Sequence, residues 1–169
     1  MAKYALGIEY DGSAYCGWQR QDHSPSVQQV LEEALSRVAD EEVVVTSAGR
    51  TDTGVHAWQQ CVHFSSDQSR NLKAWVMGVN AHLPHDVSVR NVTEVTEDFH
   101  ARYSTIDRTY HYWILNHPAR SALQHRRLRW SITSWMKRKC IWRHRLWLVS
   151  TTSPAFAPPV VRQSMQYVK

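Results

Sequence analysis

The sequence predicts an α+β fold of the ferredoxin-like, split βαβ kind: an antiparallel sheet with two helices on one face. Three observations predict it. Up to residue 95 the segments read strand, helix, strand, strand, helix, strand, which is the element order of that arrangement. The strands carry a period near two and the helices a period near 3.6. At 169 residues the chain is also long enough to bury a core without disulfide or metal staples.

The first strand is "KYALGIEY", Lys3 to Tyr10, followed by a long polar and aromatic loop, "DGSAYCGWQRQDHSP". Ser26 has the character of a helix N-cap, and Gln29 three residues later completes a capping box. Val27, Val30, Leu31, Ala34, Leu35 and Val38 then line one face of a helix ending near Ala39. "EVVVTS" is the second strand and "WQQCVHFSS", Trp58 to Ser66, the third, with Gln60, Val62 and Phe64 on one side and Cys61 and His63 on the other. Asn71 opens a second helix carrying Leu72, Trp75, Val76 and Val79, which Pro84 stops. "DVSVRNVTEV" is a strand with Val87, Val89 and Val92 apolar, and the second face of the sheet is left open. "RTYHYWILN", Arg108 to Asn116, is a fifth strand alternating Tyr110, Tyr112 and Ile114 against His111, Trp113 and Leu115. Beyond about Ser131 no period is sustained and no element is expected. The predicted organisation is therefore an N-terminal α+β domain over 1–131 and a poorly packed tail over 132–169.

Cys16, Cys61 and Cys140 are an odd, widely spaced set without a CxxC pair, and this favours a reduced compartment over zinc or redox chemistry. The N-terminus lacks a signal peptide's apolar segment and no window reaches membrane-spanning length. The expectation is a soluble, cytoplasmic protein. The net charge of +5 is unevenly placed. Residues 1–107 hold eight Lys and Arg against all 15 acids, a balance of −7, whereas residues 108–169 hold twelve and no acid, +12. A basic half points to a polyanion, because phosphates attract Lys and Arg. Sixty-two residues without one carboxylate are nevertheless unlike a folded surface, which mixes signs.

The chemistry concentrates in "SAGRTDTGVHA", Ser47 to Ala57. An aspartate in a glycine-bounded loop at a strand end commonly accepts backbone amides and stabilises a turn. Here Arg50 stands two residues before Asp52, near enough to pair with its carboxylate and hold it ionised, and Gly49 and Gly54 let backbone approach a ligand. Such a carboxylate can serve as nucleophile or general base. "DTG" alone also suggests an aspartic protease, which needs two aspartates sharing a proton. With one DTG in the chain that enzyme must be a symmetric dimer, and Arg50 beside the dyad opposes the shared proton; it remains a remote alternative.

"GRTDTGVHA" resembles the catalytic motif of the tRNA pseudouridine synthases that modify the anticodon arm. "YDGSAYCGWQRQ", "FHARYS" at Phe99 to Ser104 and "RTYHYWILN" agree in the same order, four blocks over about 131 residues. The resemblance implies isomerisation of uridine to pseudouridine at tRNA positions 38, 39 and 40 without metal or organic cofactor. It implies that Asp52 is the nucleophile, attacking carbon 6 of the base or carbon 1′ of the ribose, that Arg50 orients it and helps open the RNA, and that Tyr110 stacks under the uracil. Extrusion of the base fits chemistry on a paired nucleotide, and an aromatic face stacks on it for about 1–3 kcal/mol. Trp18, Arg20 and Gln21 in the first loop are RNA contacts, or in the case of Trp18 equally a packing lid. His56 contacts RNA or caps the turn, Arg102 is a phosphate or turn contact, and Tyr112 is core or sheet surface.

The resemblance also implies a second domain that completes the RNA cleft and a homodimer gripping one tRNA. The "HDFxSFR"-like and "MVRxxxG"-like blocks of that domain are missing. Codons for Ser134-Trp135-Met136-Lys137 read one base earlier permit Asp-Glu, and "STTSPAFA", Ser150 to Ala157, permits "EHDFTSFR" in that frame. A frameshift near Ile132 is therefore expected, leaving Arg126, Arg127 and Arg129 as genuine basic residues. The alternative function is a non-catalytic RNA-binding remnant.

Overall fold

The computed structural model describes residues 1–132 fully, and residues 146–154 and 164–165 as backbone strands. The chain forms two compact units, Met1–Thr105 and Ile106–Lys169, with the boundary inside the span read above as one domain.

In the first unit β1 (Ala2–Tyr10), α1 (Val27–Ala39), β2 (Thr46–Ser47), β3 (Ala57–Ser66), α2 (Leu72–His82) and β4 (Val87–Val95) follow in the expected sequence. The four strands form one antiparallel sheet in the order β2-β3-β1-β4. Alternation decides its faces. Tyr4, Leu6, Ile8 and Tyr10 of β1 point inward with Val62 and Phe64 of β3 and Val87, Val89 and Val92 of β4. The spacing 87, 89, 92 is not strict alternation, because β4 carries an extra residue where Gly7 opposes Asn91 and Ile8 opposes Val89. The resulting bulge restores the inward face.

Both helices cover that inward face. Leu31 and Leu35 of α1 and Trp75 and Val79 of α2 are buried, and the Trp75 ring lies 5.2 Å from Phe64, edge-on, and 5.5 Å from Tyr4. Such aromatic clusters contribute beyond their buried area.

α1 begins where the sequence places it. Ser26 Oγ accepts from Gln29 N at 3.3 Å, while the Gln29 side chain turns forward to Glu33 at 3.0 Å rather than back, so half of the expected capping box forms. The other early amides are satisfied by the first loop: Val27 N donates to Gly17 O and Gln28 N to Trp18 O. Helix starts need such external acceptors. Ser26→Ala is expected to lower the stability of this unit by about 1 kcal/mol, read as a denaturation midpoint shift; an unchanged midpoint contradicts the cap.

The expected strand Glu42–Ser47 shrinks to Thr46–Ser47. Val43 N donates to Ser36 Oγ at 2.9 Å and Val45 N to Glu32 Oε1 at 3.1 Å, so α1 side chains take the place of a neighbouring strand. Val43 and Val45 stay buried and Val44 exposed, keeping the period.

The sheet's second face is partly covered. Lys3 Nζ bonds the carbonyls of Glu97 and Phe99, and Ala101 N donates to His63 Nδ1 at 3.1 Å, which seats the buried Ala101. Burial, then His100 and Lys3, push the His63 imidazole below its ordinary pKa.

The second unit holds β5 (Asp107–Asn116), β6 (Arg129–Ser131), β7 (Leu146–Pro154) and β8 (Ser164–Met165), ordered β6-β5-β7-β8. β5 pairs with β7 antiparallel from Asp107 opposite Pro154 to Leu115 opposite Leu146, and with β6 in parallel. Strands β7 and β8 fall where no element was expected; the β-branched Val149, Thr151 and Thr152 favour an extended chain there. Ser134–Lys137, the Ala155–Ala157 end of "STTSPAFA" and the other tail positions used above lie outside the described residues. Among the described residues no helix is long and apolar enough to cross a membrane.

Candidate active site

Asp52 sits in the loop between β2 and β3, and two neighbouring segments hold that loop. From the core side, Tyr10 Oη and Thr51 Oγ1 are 2.8 Å apart. From the side, the first loop lies against it: Trp18 N donates to Thr51 O at 2.9 Å and Gly54 N to Tyr15 O at 3.3 Å. The first loop is itself fixed to the N-terminus of α1 through Gly17 O and Trp18 O, and Tyr15 Oη donates to Asp86 Oδ1 at 2.7 Å. Burial, reinforced by Asp86, drives the Tyr15 phenol far above its ordinary pKa.

Two glycines are required by this contact. Gly17 has φ +97°, and a Cβ there would stand 2.7 Å from Thr51 O. Gly54 has φ +77° in the turn closed by Val55 N donating to Asp52 O at 3.2 Å, and left-handed backbone at this turn position favours glycine. Gly49 has no such conformation; its carbonyl accepts from the Gln60 side chain, and Ala48 N donates to Cys61 O at 2.8 Å.

The result is a firmly held backbone bearing an exposed carboxylate. Asp52 and Thr53 are exposed, and among the described residues no hydrogen bond or ion pair engages the Asp52 side chain. The expected Arg50–Asp52 pair does not form: Arg50 is exposed and without an ion pair among the described residues. Two side chains two residues apart in a tight loop need not face one another, and an exposed pair contributes little.

The remaining expected residues separate. Trp18 is 1% exposed, its ring 6.1 Å from Tyr10, so the indole packs in the core rather than facing a ligand. The Arg20 guanidinium lies 3.2 Å from the buried Glu32, and its backbone N donates to Gln28 Oε1 at 3.1 Å. Arg20 thus ties the first loop to α1. Gln21 is exposed and donates to Cys16 O. His56 Nδ1 stands 3.0 Å from Asp11 Oδ1 and 3.2 Å from Gly12 N. Arg102 is exposed on the segment over the second sheet face, its amide donating to His100 Nδ1. Tyr110 belongs to the second unit, on β5 opposite Thr151, and is 40% exposed; Tyr112 is 59% exposed. The first unit therefore gathers Arg50, Asp52 and His56 into one loop, with Trp18, Arg20 and Gln21 in the loop beside it.

Trp58 is a residue that the sequence marks only as the start of a strand. Its indole is 62% exposed, four residues after the turn glycine, where β3 carries an extra residue between the Ile8–Gln60 and Tyr10–Ala57 pairs. Val55, 41% exposed, precedes it. An unpaired bulge residue re-aims side chains, a signal visible only in the register. Among the described residues no group of three His, Cys, Asp or Glu is placed to hold a metal ion.

Comparison with known proteins adds the family. A sequence model described as tRNA pseudouridine synthase matches residues 7–104. A protein of Colwellia psychrerythraea named tRNA pseudouridine synthase A is 56% identical over 121 residues, covering 72% of this chain and 47% of that protein. One of Photorhabdus laumondii with the same name is 60% identical over 121 residues, covering 72% and 46%. One of Blochmanniella floridana is 50% identical over 136 residues, covering 80% and 54%. The chain spans about half the length of the curated relatives it matches.

Proposed function

This chain belongs to the tRNA pseudouridine synthase family, and we propose that its Asp52 is the nucleophile that isomerises uridine at positions 38, 39 and 40 of the tRNA anticodon arm. The observation that carries the reading is the Asp52 carboxylate itself, exposed and unengaged among the described residues on a backbone anchored from two sides. A carboxylate free of internal partners is available to bond a substrate carbon.

In the proposed reaction Asp52 attacks carbon 6 of the base or carbon 1′ of the ribose. The N1–C1′ bond breaks, the uracil turns, a C5–C1′ bond forms, the hydrogen of carbon 5 leaves as a proton, N1 takes up a proton, and the aspartate is released. Atoms balance without an oxidant or second substrate. The target base must first leave its stack; Arg50, exposed beside Asp52, is the cation proposed to meet the RNA backbone there, and Arg102, Gln21 and the Tyr110 stack belong to the same proposal. So do the homodimer, the assignment of 1–131 as catalytic domain and the cytoplasmic setting.

Trp58 joins this surface as a stacking platform. Base stacking on an aromatic side chain contributes about 1–3 kcal/mol, so Trp58→Ala is expected to weaken tRNA binding roughly 5- to 150-fold, and Trp58→Phe much less. Fluorescence titration with tRNA at fixed salt measures it; equal affinity of the alanine variant and the parent removes Trp58 from the interface.

The half-length match favours a second reading, a chain that binds tRNA without turning it over. Tritium release from tRNA labelled at uridine carbon 5 separates the two: release supports the isomerase, and salt-sensitive binding without release supports the second reading.

A further inference from the structure

The Asp52 turn is held asymmetrically. Before Asp52, Thr51 is fixed twice, through its hydroxyl to Tyr10 and through its carbonyl to Trp18 N. After it, Thr53 and Val55 are exposed; the Val55 backbone packs against Gly12, but among the described residues the only hydrogen bond from 53–55 to another segment is Gly54 N to Tyr15 O at 3.3 Å. The next anchor is the His56 side chain. We infer that His56 is a positioning residue for Asp52, acting through Nδ1 as the pin that closes the turn onto the first loop, an inference that rests on the function proposed above.

Nδ1 lies within hydrogen-bond distance of two groups of the first loop. Carrying a proton, it donates to Asp11 Oδ1 at 3.0 Å; as a lone pair, it accepts from Gly12 N at 3.2 Å. Both partners are adjacent residues of one turn, and that turn is anchored. Asp11 Oδ1 accepts from Ser13 N at 3.0 Å, and Asp11 N donates to Asp86 O at 2.8 Å. Asp86 in turn receives Tyr15 Oη. A continuous path of hydrogen bonds therefore joins the start of β4 to His56, four residues beyond the nucleophile. The imidazole and Asp11 side chains are 29% and 30% exposed, so the pin is largely sheltered from competing water. A nucleophile misplaced by about 1 Å costs on the order of 100-fold in rate, so even a small shift of the turn is expected to register in kcat.

The ring atoms permit a discriminating test, because asparagine places a polar atom near the Nδ1 position and glutamine near the Nε2 position. His56→Ala, His56→Asn and His56→Gln are compared by amide hydrogen exchange, by tRNA affinity and by kcat and KM for pseudouridine formation, with exchange of the β1–β3 ladder as the fold control. The expected result is exchange of the Gly54 and Val55 amides at least tenfold faster in His56→Ala and His56→Gln, near the parent rate in His56→Asn, with tRNA affinity within threefold throughout. kcat should fall about 100-fold in the same two variants while KM holds. Unchanged exchange in His56→Ala overturns the inference. So does weakened tRNA binding that glutamine rescues and asparagine does not, which marks an RNA contact through Nε2. If the parent chain shows no turnover, exchange and affinity still judge His56, and only the proposed enzymatic reading fails. Should His56→Ala not fold, the asparagine–glutamine pair decides alone.

Discussion

Asp52→Ala is expected to abolish pseudouridine formation, by more than about 10³-fold in kcat, while tRNA affinity stays within threefold. Removing a covalent nucleophile eliminates the pathway rather than weakening one of several contributions. The fold should tolerate the change, because the carboxylate is exposed and no described residue depends on it; such surface changes lie within about 0.5 kcal/mol. Tritium release, an affinity titration and a denaturation curve on the same preparation measure the three quantities. Turnover within tenfold of the parent would remove Asp52 from the chemistry, and a large loss of stability would recast it as a structural residue.

The second large effect is on stability. Trp18→Ala empties a site that is 1% exposed at the meeting point of the first loop, β1 and the Asp52 loop. Truncating a buried tryptophan costs about 3–5 kcal/mol, and with a urea slope of roughly 1–3 kcal/mol per molar the midpoint should fall by at least about 1 M. Trp18→Phe should recover much of it. Because Trp18 N holds Thr51 O and Trp18 O caps α1, loosening this residue should also speed amide exchange around Asp52. A stable Trp18→Ala protein with weakened tRNA binding would instead return the indole to the RNA surface.

How far the sequence could be read depended on whether the relevant contacts are local. α1 was legible almost to the residue, since Ser26 and the spacing from Val27 to Val38 are local signals. The shortening of β2 was not, because Glu32 and Ser36 reach Val45 and Val43 from a different element. The β4 bulge hid in the spacing 87, 89, 92, which reads simply as apolar. At the site, motif resemblance singled out the Asp52 loop, yet its clamp was invisible. Trp18 bonding Thr51, and His56 meeting Asp11, join residues more than 30 positions apart. Short sequence distance misled in the opposite direction: Arg50 and Asp52 are two residues apart and do not pair, while Arg20 finds Glu32 on α1. The acid-free tail could be described by composition alone, and much of it lies outside the described residues.

The most direct test of Asp52 as nucleophile is a mass measurement on the chain mixed with tRNA carrying 5-fluorouridine at positions 38 to 40 and then quenched. Fluorine in place of the carbon 5 hydrogen blocks the final proton loss, so a carboxylate bond to carbon 6 of the base should persist. The expected result is a single nucleotide adduct on the peptide containing Asp52, absent from Asp52→Asn. An adduct on another residue contradicts it, whereas none in a preparation that releases tritium from ordinary tRNA excludes attack at carbon 6 and leaves only attack at carbon 1′.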